Sequence, residues 1–308
     1  MKEVSKSKKV IAVIVTYNRK ELLKECIKAL LNQDYDNCDI LVVDNASTDG
    51  TKKYISSELK NKKVHYKNTG TNLGGAGGFN FGMKEAYKIG CDFMWLMDDD
   101  CIVHNDSLIK LLETDTKLDG KYGFLASKVL WKDNSICKMN IQKNSLIKKN
   151  KDWNSEKVKV IMSSFVSFFV KTDTVLELGL PIAEFFIWSD DLEYSRRISR
   201  KYSCYLVNDS IVTHKSNNNI GSNIVEDDIS KMNRYRCAYR NEYYLFRREG
   251  IIGKVYYFLK IKLHKYRIKK SDNSFEDKKN KINLINESIK SGKKFHPEIE
   301  YISCGGIK

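Results

Sequence analysis

The chain of 308 residues is 42% hydrophobic and 11% aromatic, which suffices for the core of one large domain or two modest ones. It has no apolar run of about 18 residues, no apolar segment behind its charged N-terminus and no Cys-x-x-Cys pair, so we expect a cytoplasmic protein with reduced thiols and without a membrane span, secretory signal or structural zinc. The net charge is +15, and residues 231–308 hold 20 Lys and Arg against 8 Asp and Glu, so the basic character belongs to the C-terminal part.

Through the first half of the chain, apolar runs rich in β-branched residues alternate with segments of helical periodicity. This alternation predicts an α/β sheet built from β-α-β units. The predicted strands are 10–16, 39–44, 63–68 and 92–100. The predicted helices are 20–33, one from about residue 51 with Ser47 or Asp49 as its N-cap, and 79–89.

Beyond residue 106 the periodicity is weaker. The pattern predicts a helix after Ser189 as N-cap, and residues 231–270 have helical spacing followed by a polar segment. The other predictions are a helix at 107–115, a strand at 124–130, an exposed polar excursion at 132–157, an apolar strand at 160–170, a short helix at 173–178 and a hairpin-like pair of strands within 204–215.

Three aspartates, Asp98, Asp99 and Asp100, end the fourth predicted strand, at the edge where ligands gather in open α/β sheets. Alternate residues of an extended chain point the same way, so Asp98 and Asp100 converge while Asp99 faces elsewhere. Convergent carboxylates repel each other unless a cation lies between them, and oxygen ligands suit Mg²⁺ or Mn²⁺. We therefore predict a cation site, rather than a solvated acidic turn, and His214 could supply its nitrogen ligand.

Two further features belong to the same edge of the predicted sheet. Residues 68–82, "NTGTNLGGAGGFNFG", hold six of the 17 glycines but match neither common phosphate-binding fingerprint, because Asn80 stands where a third glycine is needed and no Gly-Lys-Ser/Thr follows. From its composition the run could be a binding loop or a flexible turn. Asp44 could accept hydrogen bonds from a base or ribose, or could close its strand as an Asx turn.

A second acidic group, Asp190, Asp191 and Glu193, falls in the first turn of a predicted helix. The positive end of the helix dipole keeps at least one such carboxylate ionised, as a general base requires. Ordinary helix design also places acidic residues in a first turn. The preceding Trp188 offers an aromatic plane suited to a sugar face, which favours the functional interpretation.

The motifs "VTYNR", "VVDNASTDGT", "NLGGAGGFNFG", "WLMDDD" and "WSDDLEY" followed by a histidine resemble, in that order, the family 2 glycosyltransferases. The resemblance implies the GT-A fold, a Rossmann-like mostly parallel sheet flanked by helices, and inverting transfer of a sugar from a nucleotide diphosphate. The chain is most similar to bacterial galactofuranosyltransferases, whose donor is UDP-galactofuranose. Rhamnosyltransferases using dTDP-rhamnose are the alternative within the class, and a non-catalytic sugar-nucleotide-binding protein is the alternative outside it.

The resemblance also implies domains and residue roles. We expect a catalytic domain at 1–230, divided near residue 105 into nucleotide-sugar and acceptor halves, and a basic, aromatic, helical region at 231–308. Asp191 would be the base, with Asp190 as the alternative. The donor side would comprise Thr16, Tyr17, Arg19, Asp44, Asn72, Gly74, Gly75, Gly77, Asp98 and Asp99, with the glycines letting the backbone pass close to the donor sugar. Mn²⁺ or Mg²⁺ would be held by Asp98, Asp100 and His214, and the acceptor by Trp188, Asp190 and Glu193.

Residues 231–270 alternate aromatic and cationic side chains, which suits a helix lying in a membrane interface near a lipid-linked saccharide acceptor. Helices that merely pack on the catalytic domain are the alternative. We expect no nucleic-acid partner, because no recognition fold accompanies the charge. The resemblance therefore implies a cytoplasmic enzyme of cell-surface polysaccharide biosynthesis (capsule, lipopolysaccharide or cell wall), with contact to the inner face of the cell membrane left open.

Overall fold

The computed structural model describes residues 7–303, whose first half forms an α/β sheet as predicted. The strands are β1 (Val10–Thr16), β2 (Cys38–Asp44), β3 (Val64–Asn68), β4 (Phe93–Asp98), β5 (Cys101–Val103), β6 (Phe124–Trp131), β7 (Lys157–Val160), β8 (Phe168–Lys171) and β9 (Cys204–His214). The helices are α1 (Lys20–Leu31), α2 (Thr51–Tyr54), α3 (Gly74–Ile89), α4 (Ser107–Lys117), α5 (Thr172–Leu178), α6 (Asp190–Ser199), α7 (Met232–Arg247), α8 (Gly250–Lys270) and α9 (Phe275–Lys294).

These strands form one mixed sheet in the order β3-β2-β1-β4-β8-β6-β9-β5, with β7 also paired to β9. The four strands β3, β2, β1 and β4 are parallel, whereas β8 runs antiparallel to both β4 and β6. Strand β9 is parallel to β6 and antiparallel to β5 and β7. The parallel half is the part that the alternating strand and helix pattern predicted.

Strand β1 lies at the centre of the parallel half and is buried along its whole length. Val10, Ala12 and Ile14 belong to one hydrophobic core, and the alternate residues belong to the core on the opposite face. A parallel strand covered on both faces must be apolar at every position, which explains the unbroken sequence VIAVIVT.

The strand register brings the polar strand ends together. Thr16 at the end of β1 pairs with Asp44 of β2, and the preceding Val15 pairs with Asp98 of β4. On the other side of the sheet, antiparallel pairing of β5 with β9 places His214 opposite Cys101. The residue after the three aspartates is therefore a direct neighbour of the histidine.

The glycine run departs from the prediction, because α3 begins at Gly74 rather than at residue 79. Gly74 has φ +71°, and a Cβ there would overlap the carbonyl oxygen of Phe186. A Cβ on Gly78 would lie 2.6 Å from Val15, and one on Gly82 would also meet valine side chains of the sheet. Most of the run is therefore helical and lets α3 pack closely on the sheet, which overrides the low helix propensity of glycine.

Three predictions in the second half were wrong. The apolar run 160–170 is not one strand: β7 ends at its first residue and β8 covers its last three. The residues between them, such as Phe165, are buried although they are not in a strand, so their apolar character was misread as a strand signal. Residues 204–214 form the single strand β9 instead of a hairpin-like pair of strands. The polar residues at which a turn was expected lie where the register between β9 and β6 shifts. Ser189 adopts φ +68°, and its side chain makes no capping hydrogen bond within the described part of α6.

The polar stretch 132–157 is exposed over much of its length, as its composition predicted, but its middle part is folded back onto the sheet. Gln142 is buried, and its Nε2 donates to the Ser127 carbonyl over 3.0 Å. Lys143 forms bridges with both Lys149 and Met162. The buried part was not predicted, because amide side chains such as that of Gln142 are buried there with hydrogen bonds and the segment needs few apolar residues.

The C-terminal helices α7, α8 and α9 pack on one another around their own hydrophobic cluster, which includes Tyr239, Tyr257 and Ile285. The polar segment after residue 271 contains α9, whose N-terminus is capped by the Ser274 side chain accepting from the Asp277 N–H. In the range 7–303, no helix combines the length and apolar character needed to cross a bilayer.

Candidate active site

A cluster of carboxylates lies at the carboxyl end of β4. Asp99 and Asp100 are buried, and Asp99 accepts a hydrogen bond of 2.7 Å from the Thr16 hydroxyl. Arg19 Nη1 lies 2.9 Å from an oxygen of Asp99 and 2.9 Å from one of Asp100. Thr16 and Arg19, expected in a nucleoside pocket, are therefore directed at the acidic cluster, whereas Tyr17 beside them is exposed.

Asp98, Asp100 and His214 come together as the sequence predicted. Ligand atoms of the three side chains lie within 4.8 Å of one another. His214 Nε2 is 3.0 Å from Asp100 Oδ1, and this buried oxygen receives no aligned hydrogen bond from any described residue. A buried carboxylate oxygen whose close polar neighbour is an imidazole nitrogen, with a second carboxylate beside it, fits a divalent cation such as Mn²⁺ or Mg²⁺.

Asn140 orients the histidine. Its Oδ1 lies 2.8 Å from His214 Nδ1, so Nδ1 can donate to it and leave Nε2 facing Asp100. Cys137 lies close by, with its Sγ 3.6 Å from the same ring nitrogen. Asn140 comes from the stretch expected to be exposed, which is why the sequence did not single it out.

The charges of this cluster are only partly balanced. Burial and the neighbouring Asp100 raise the pKa of Asp98 to about 7. Burial also disfavours the charged form of Asp100, but His214 and Arg19 outweigh it and hold the pKa of Asp100 below its usual value. Although burial acts in the opposite direction, Asp100 raises the pKa of His214 to about 10. The imidazole would have to release this proton to bind a metal ion.

The second acidic pair starts α6 and interacts electrostatically with Asp98. Burial, reinforced by the charge of Asp191, raises the pKa of Asp190 well above its usual value. Burial raises the pKa of Asp191 only to about 6, because the Leu192 N–H donates to its Oδ1 and Lys143 supplies a nearby positive charge. Near neutral pH, Asp191 is therefore the member of the pair that is ionised and able to accept a proton.

The loop before this pair has strained backbone and is held by α7. Phe186, Trp188 and Ser189 all have positive φ angles of 62° to 68°. Asn241, fully buried on α7, donates from Nδ2 to the carbonyls of Phe185, Ile187 and Trp188 over 3.0, 3.2 and 2.8 Å. The amide thus fixes the backbone that leads into Asp190.

The three predicted acceptor residues have different surroundings. Trp188 is half-buried and packs edge-on against Tyr235 of α7, with ring centroids 5.1 Å apart. Glu193 is buried in an ion pair with Arg197, which also donates to the carbonyls of Leu178 and Leu180. Arg197 therefore ties α6 to the end of α5, and Glu193 pairs with it; the expected contact of Glu193 with an acceptor stays a prediction.

Asp44 lines an open cleft of about 460 Å³ between β2, α2 and β3. Its carboxylate accepts from the Ser47 N–H over 2.8 Å and from the Tyr66 hydroxyl. Asp44 therefore closes an Asx-type turn and also lines a cleft, so the two interpretations of this residue do not exclude each other. Tyr66 belongs to the same cleft and was not singled out, because a tyrosine in a short strand carries no distinctive signal. The residues lining the cleft are Asp44, Ser47, Gly50, Thr51, Lys52, Lys53, Tyr66 and Asn68.

Among the glycines expected near a donor, only Gly75 has open space where a Cβ would be placed. A Cβ on Gly77 would lie 2.7 Å from that of Leu73, and Gly74 is in contact with the loop at Phe186. Asn72 accepts from the Gly74 N–H over 2.8 Å and so shapes the turn into α3. Gly74 and Gly77 therefore serve local packing, and Gly75 alone could allow a ligand to approach.

This α/β fold, with an aspartate cluster and a histidine at the strand ends and an acidic pair opening a nearby helix, defines the GT-A class of nucleotide-diphospho-sugar transferases. The mannosyltransferase PcManGT from Pyrobaculum calidifontis, solved with GDP-Man and Mn²⁺, superimposes with a TM-score of 0.56 at 12% identity, over 94% of this chain and 74% of that one. That likeness supports the fold assignment.

Residues 11–161 match the family model described as Glycosyl transferase family 2, and the chain therefore contains a family 2 glycosyltransferase domain. Galactofuranosyltransferase GlfT1 of Mycolicibacterium smegmatis is 28% identical over 207 residues, which is 62% of this chain and 65% of that protein. The GalNAc(5)-diNAcBac-PP-undecaprenol beta-1,3-glucosyltransferase of Campylobacter jejuni is 29% identical over 107 residues, 34% of each chain. The chain thus matches less than two thirds of either relative's length.

Proposed function

We propose that this protein is a metal-dependent inverting glycosyltransferase that transfers galactofuranose from UDP-galactofuranose to a lipid-linked glycan at the inner face of the cell membrane. One observation carries the reaction class: a trio of metal-binding type, Asp98, Asp100 and His214, lies in electrostatic contact with a carboxylate, Asp191, that is ionised near neutral pH. Cation and base are the two groups that inverting transfer from a diphosphate requires.

On the donor side, Asp98, Asp100 and His214 would hold Mn²⁺ or Mg²⁺, which when bound neutralises the negative charge growing on the departing diphosphate. Arg19, paired with Asp99 and Asp100, adds a fixed positive charge at the same strand end. The cleft at Asp44 is the candidate nucleoside pocket, since it opens at the neighbouring strand end. Gly75 would face the sugar, because it leaves open space at the start of α3.

On the acceptor side, Asp191 would take the proton of the attacking hydroxyl as the new bond forms at the anomeric carbon. Base catalysis of this kind contributes about 10²–10⁴-fold. Asp190 is the weaker candidate, because burial and the charge of Asp191 raise its pKa well above its usual value and so favour its protonated form. Trp188, which is half-buried and packs edge-on against Tyr235, is the candidate sugar platform.

The donor and acceptor are supported by the relatives. GlfT1 is named for galactofuranosyl transfer, and the Campylobacter enzyme is named for a substrate linked to undecaprenyl diphosphate. Transfer of rhamnose from dTDP-rhamnose is the competing donor assignment. The two are separated by which nucleotide sugar is consumed.

The test is a donor panel. The purified protein is incubated with UDP-, dTDP- and GDP-sugars plus Mn²⁺, and both thermal stabilisation and slow donor hydrolysis are measured with and without EDTA. We expect stabilisation and turnover with UDP-galactofuranose only when the metal is present. Asp191→Asn should abolish turnover while stabilisation by UDP survives, and Asp209→Asn, which changes an exposed carboxylate on β9, should leave both unchanged. No response to any nucleotide would refute the enzyme assignment.

A further inference from the structure

Helix α8 is apolar on two opposite faces. One face packs against α7 and α9 through Gly253, Tyr257, Ile261 and Ile268. The other face is exposed: Ile251 is 80% exposed, Phe258 56% and Leu259 57%. We call the exposed set the α8 stripe; its members are Ile251, Ile252, Val255, Phe258, Leu259, Leu263 and Tyr266.

The spacing places the stripe directly opposite the packed face. Most of its residues precede a packed residue by two positions, which on an α-helix is about 200° of rotation. From Ile251 to Tyr266 the stripe runs about 22 Å at 1.5 Å per residue. A helix on the surface of a globular protein normally carries polar residues on this side. A continuous apolar stripe of this length marks a surface that binds a partner.

The charge of α8 indicates the kind of partner. Gly250–Lys270 contains seven Lys and Arg and no Asp or Glu. Lys254, Lys262 and Arg267 are exposed among the stripe residues, and Lys262 Nζ lies 4.5 Å from the Phe258 ring centroid. Long cationic side chains beside an apolar stripe can reach phosphate groups while their stems stay in apolar contact.

We propose that the α8 stripe lies in the interface of an anionic membrane, with the aliphatic and aromatic side chains among the acyl chains and the flanking Lys and Arg on lipid phosphates. A second copy of the chain fits less well, because symmetric pairing through α8 would bring seven positive charges against seven. A nucleic acid would satisfy the cations but leave Ile251, Ile252, Val255 and Leu259 without an apolar environment.

The stripe is linked to the candidate active site through α7. Tyr257 donates from its hydroxyl to the Tyr239 carbonyl over 2.7 Å, and Lys260 pairs with Glu242 at 2.6 Å. These α7 residues flank Asn241, which holds the loop ahead of the acidic pair. A membrane-bound α8 would therefore keep this loop near the bilayer surface, where a lipid-linked acceptor presents its sugar.

This inference deepens the proposed membrane location but can fail separately from the proposed reaction, since vesicle binding requires neither donor nor acceptor. The full-length protein is co-sedimented with vesicles of phosphatidylcholine, either alone or mixed with phosphatidylglycerol. We expect binding to the mixed vesicles that weakens with added salt, and little binding to phosphatidylcholine alone.

Two variants test the two parts of the surface. Phe258→Ser with Leu259→Ser should weaken vesicle binding at least about ten-fold by removing apolar burial, and Lys254→Glu with Lys262→Glu should do so by reversing charge. Ile220→Ser, which changes a 74% exposed residue outside α8, should bind as the parent protein does. Circular dichroism checks that each variant is folded.

Three results would overturn the inference: no vesicle binding by the parent protein, binding unaffected by both double variants, or a concentration-dependent dimer that the Phe258→Ser and Leu259→Ser changes abolish. Transfer to a short acceptor without lipid should be the same in the stripe variants as in the parent. Loss of vesicle binding with that transfer intact supports the membrane surface independently of the donor assignment.

Discussion

Replacing Asn241 by alanine should lower the catalytic rate while the protein still folds. This side chain lies on α7 and holds residues 185–189, the loop before the acidic pair, which we call the acceptor loop. Its amide group donates to three backbone carbonyls of that loop, those of Phe185, Ile187 and Trp188. The side chain is fully buried, so water cannot take its place without rearrangement. The substitution leaves backbone carbonyls without a donor directly before Asp190.

The magnitude follows from the number of hydrogen bonds. The Phe185 carbonyl keeps the Ile187 N–H and Arg240 as donors, so the carbonyls of Ile187 and Trp188 are the two that lose the Asn241 amide. Each buried group left without a partner costs about 1–3 kcal/mol, so we expect a loss of about 2–4 kcal/mol in the free energy of unfolding. The same loop holds Phe186 and Trp188 at positive φ, which costs about 1–3 kcal/mol each and persists only while neighbouring contacts enforce it. Without Asn241 the loop should relax and displace the acidic pair.

A displacement of about 1 Å at a reacting group costs about 10²-fold in rate. We therefore expect Asn241→Ala to lower kcat about 10²-fold, while UDP still stabilises the protein in the presence of Mn²⁺ because the donor side is untouched. Asn273→Ala is the matched control, since that asparagine donates to a single carbonyl, Val225, away from the loop. Urea unfolding gives the stability change, and a variant that loses stability but keeps its kcat would refute the positioning argument.

Three more predictions concern charge and packing. Asp98→Asn should abolish Mn²⁺-dependent stabilisation by UDP. Without metal it should raise the stability of the protein at pH 8, because the pKa of Asp98 is raised to about 7 and above that pH its ionised form destabilises the folded state. Equal stability of variant and parent in EDTA would contradict this. Asp191 must be ionised to act as a base, so kcat/KM should fall below pH 6. Lys143→Met should move that fall to higher pH, because it removes a positive charge that lowers the pKa of Asp191. A pH profile that does not move would exclude the influence of Lys143. Gly74→Ala should lower the free energy of unfolding by at least about 2 kcal/mol, because Gly74 has a positive φ and its Cβ would overlap the Phe186 carbonyl. Gly75→Ala should be tolerated, because there is open space at that position. Equal urea midpoints for the two variants would refute the packing role of Gly74.

The parts of the site that the sequence predicted are those set by strand geometry. Asp98 and Asp100 end a buried strand of an alternating α/β pattern, and parallel pairing necessarily brings such ends to one edge. His214 followed from its position at the end of a later strand, although the expected hairpin there is the single strand β9. These predictions needed only the type and direction of each element.

The parts that could not be predicted depend on contacts between distant segments. Asn241 is separated by 53 residues from Trp188, and nothing in its local sequence distinguishes it from an ordinary polar residue of a helix. Asn140 and Lys143 lie in a stretch whose composition indicates exposure, and their burial follows from hydrogen bonds to the sheet and its neighbours. The start of α3 was missed because glycine propensity favours a loop, whereas close packing against Val15 requires glycine within the helix.

The positive charges around the candidate site are paired with some of its carboxylates and not with others, which indicates the carboxylate that is free to bind a ligand. Asp99 and Asp100 both pair with Arg19, and Asp191 is near Lys143, so each has a cation supplied by the chain. Over the described range, no direct ion pair is found for Asp98, whose residue is also less buried than Asp99 and Asp100, which follow it. The raised pKa of Asp98 reflects a charge that is partly buried and not compensated by the chain, and stability given up at such a carboxylate is typical of a binding site. A divalent cation at Asp98, Asp100 and His214 would remove that cost, so metal binding and folding should stabilise each other.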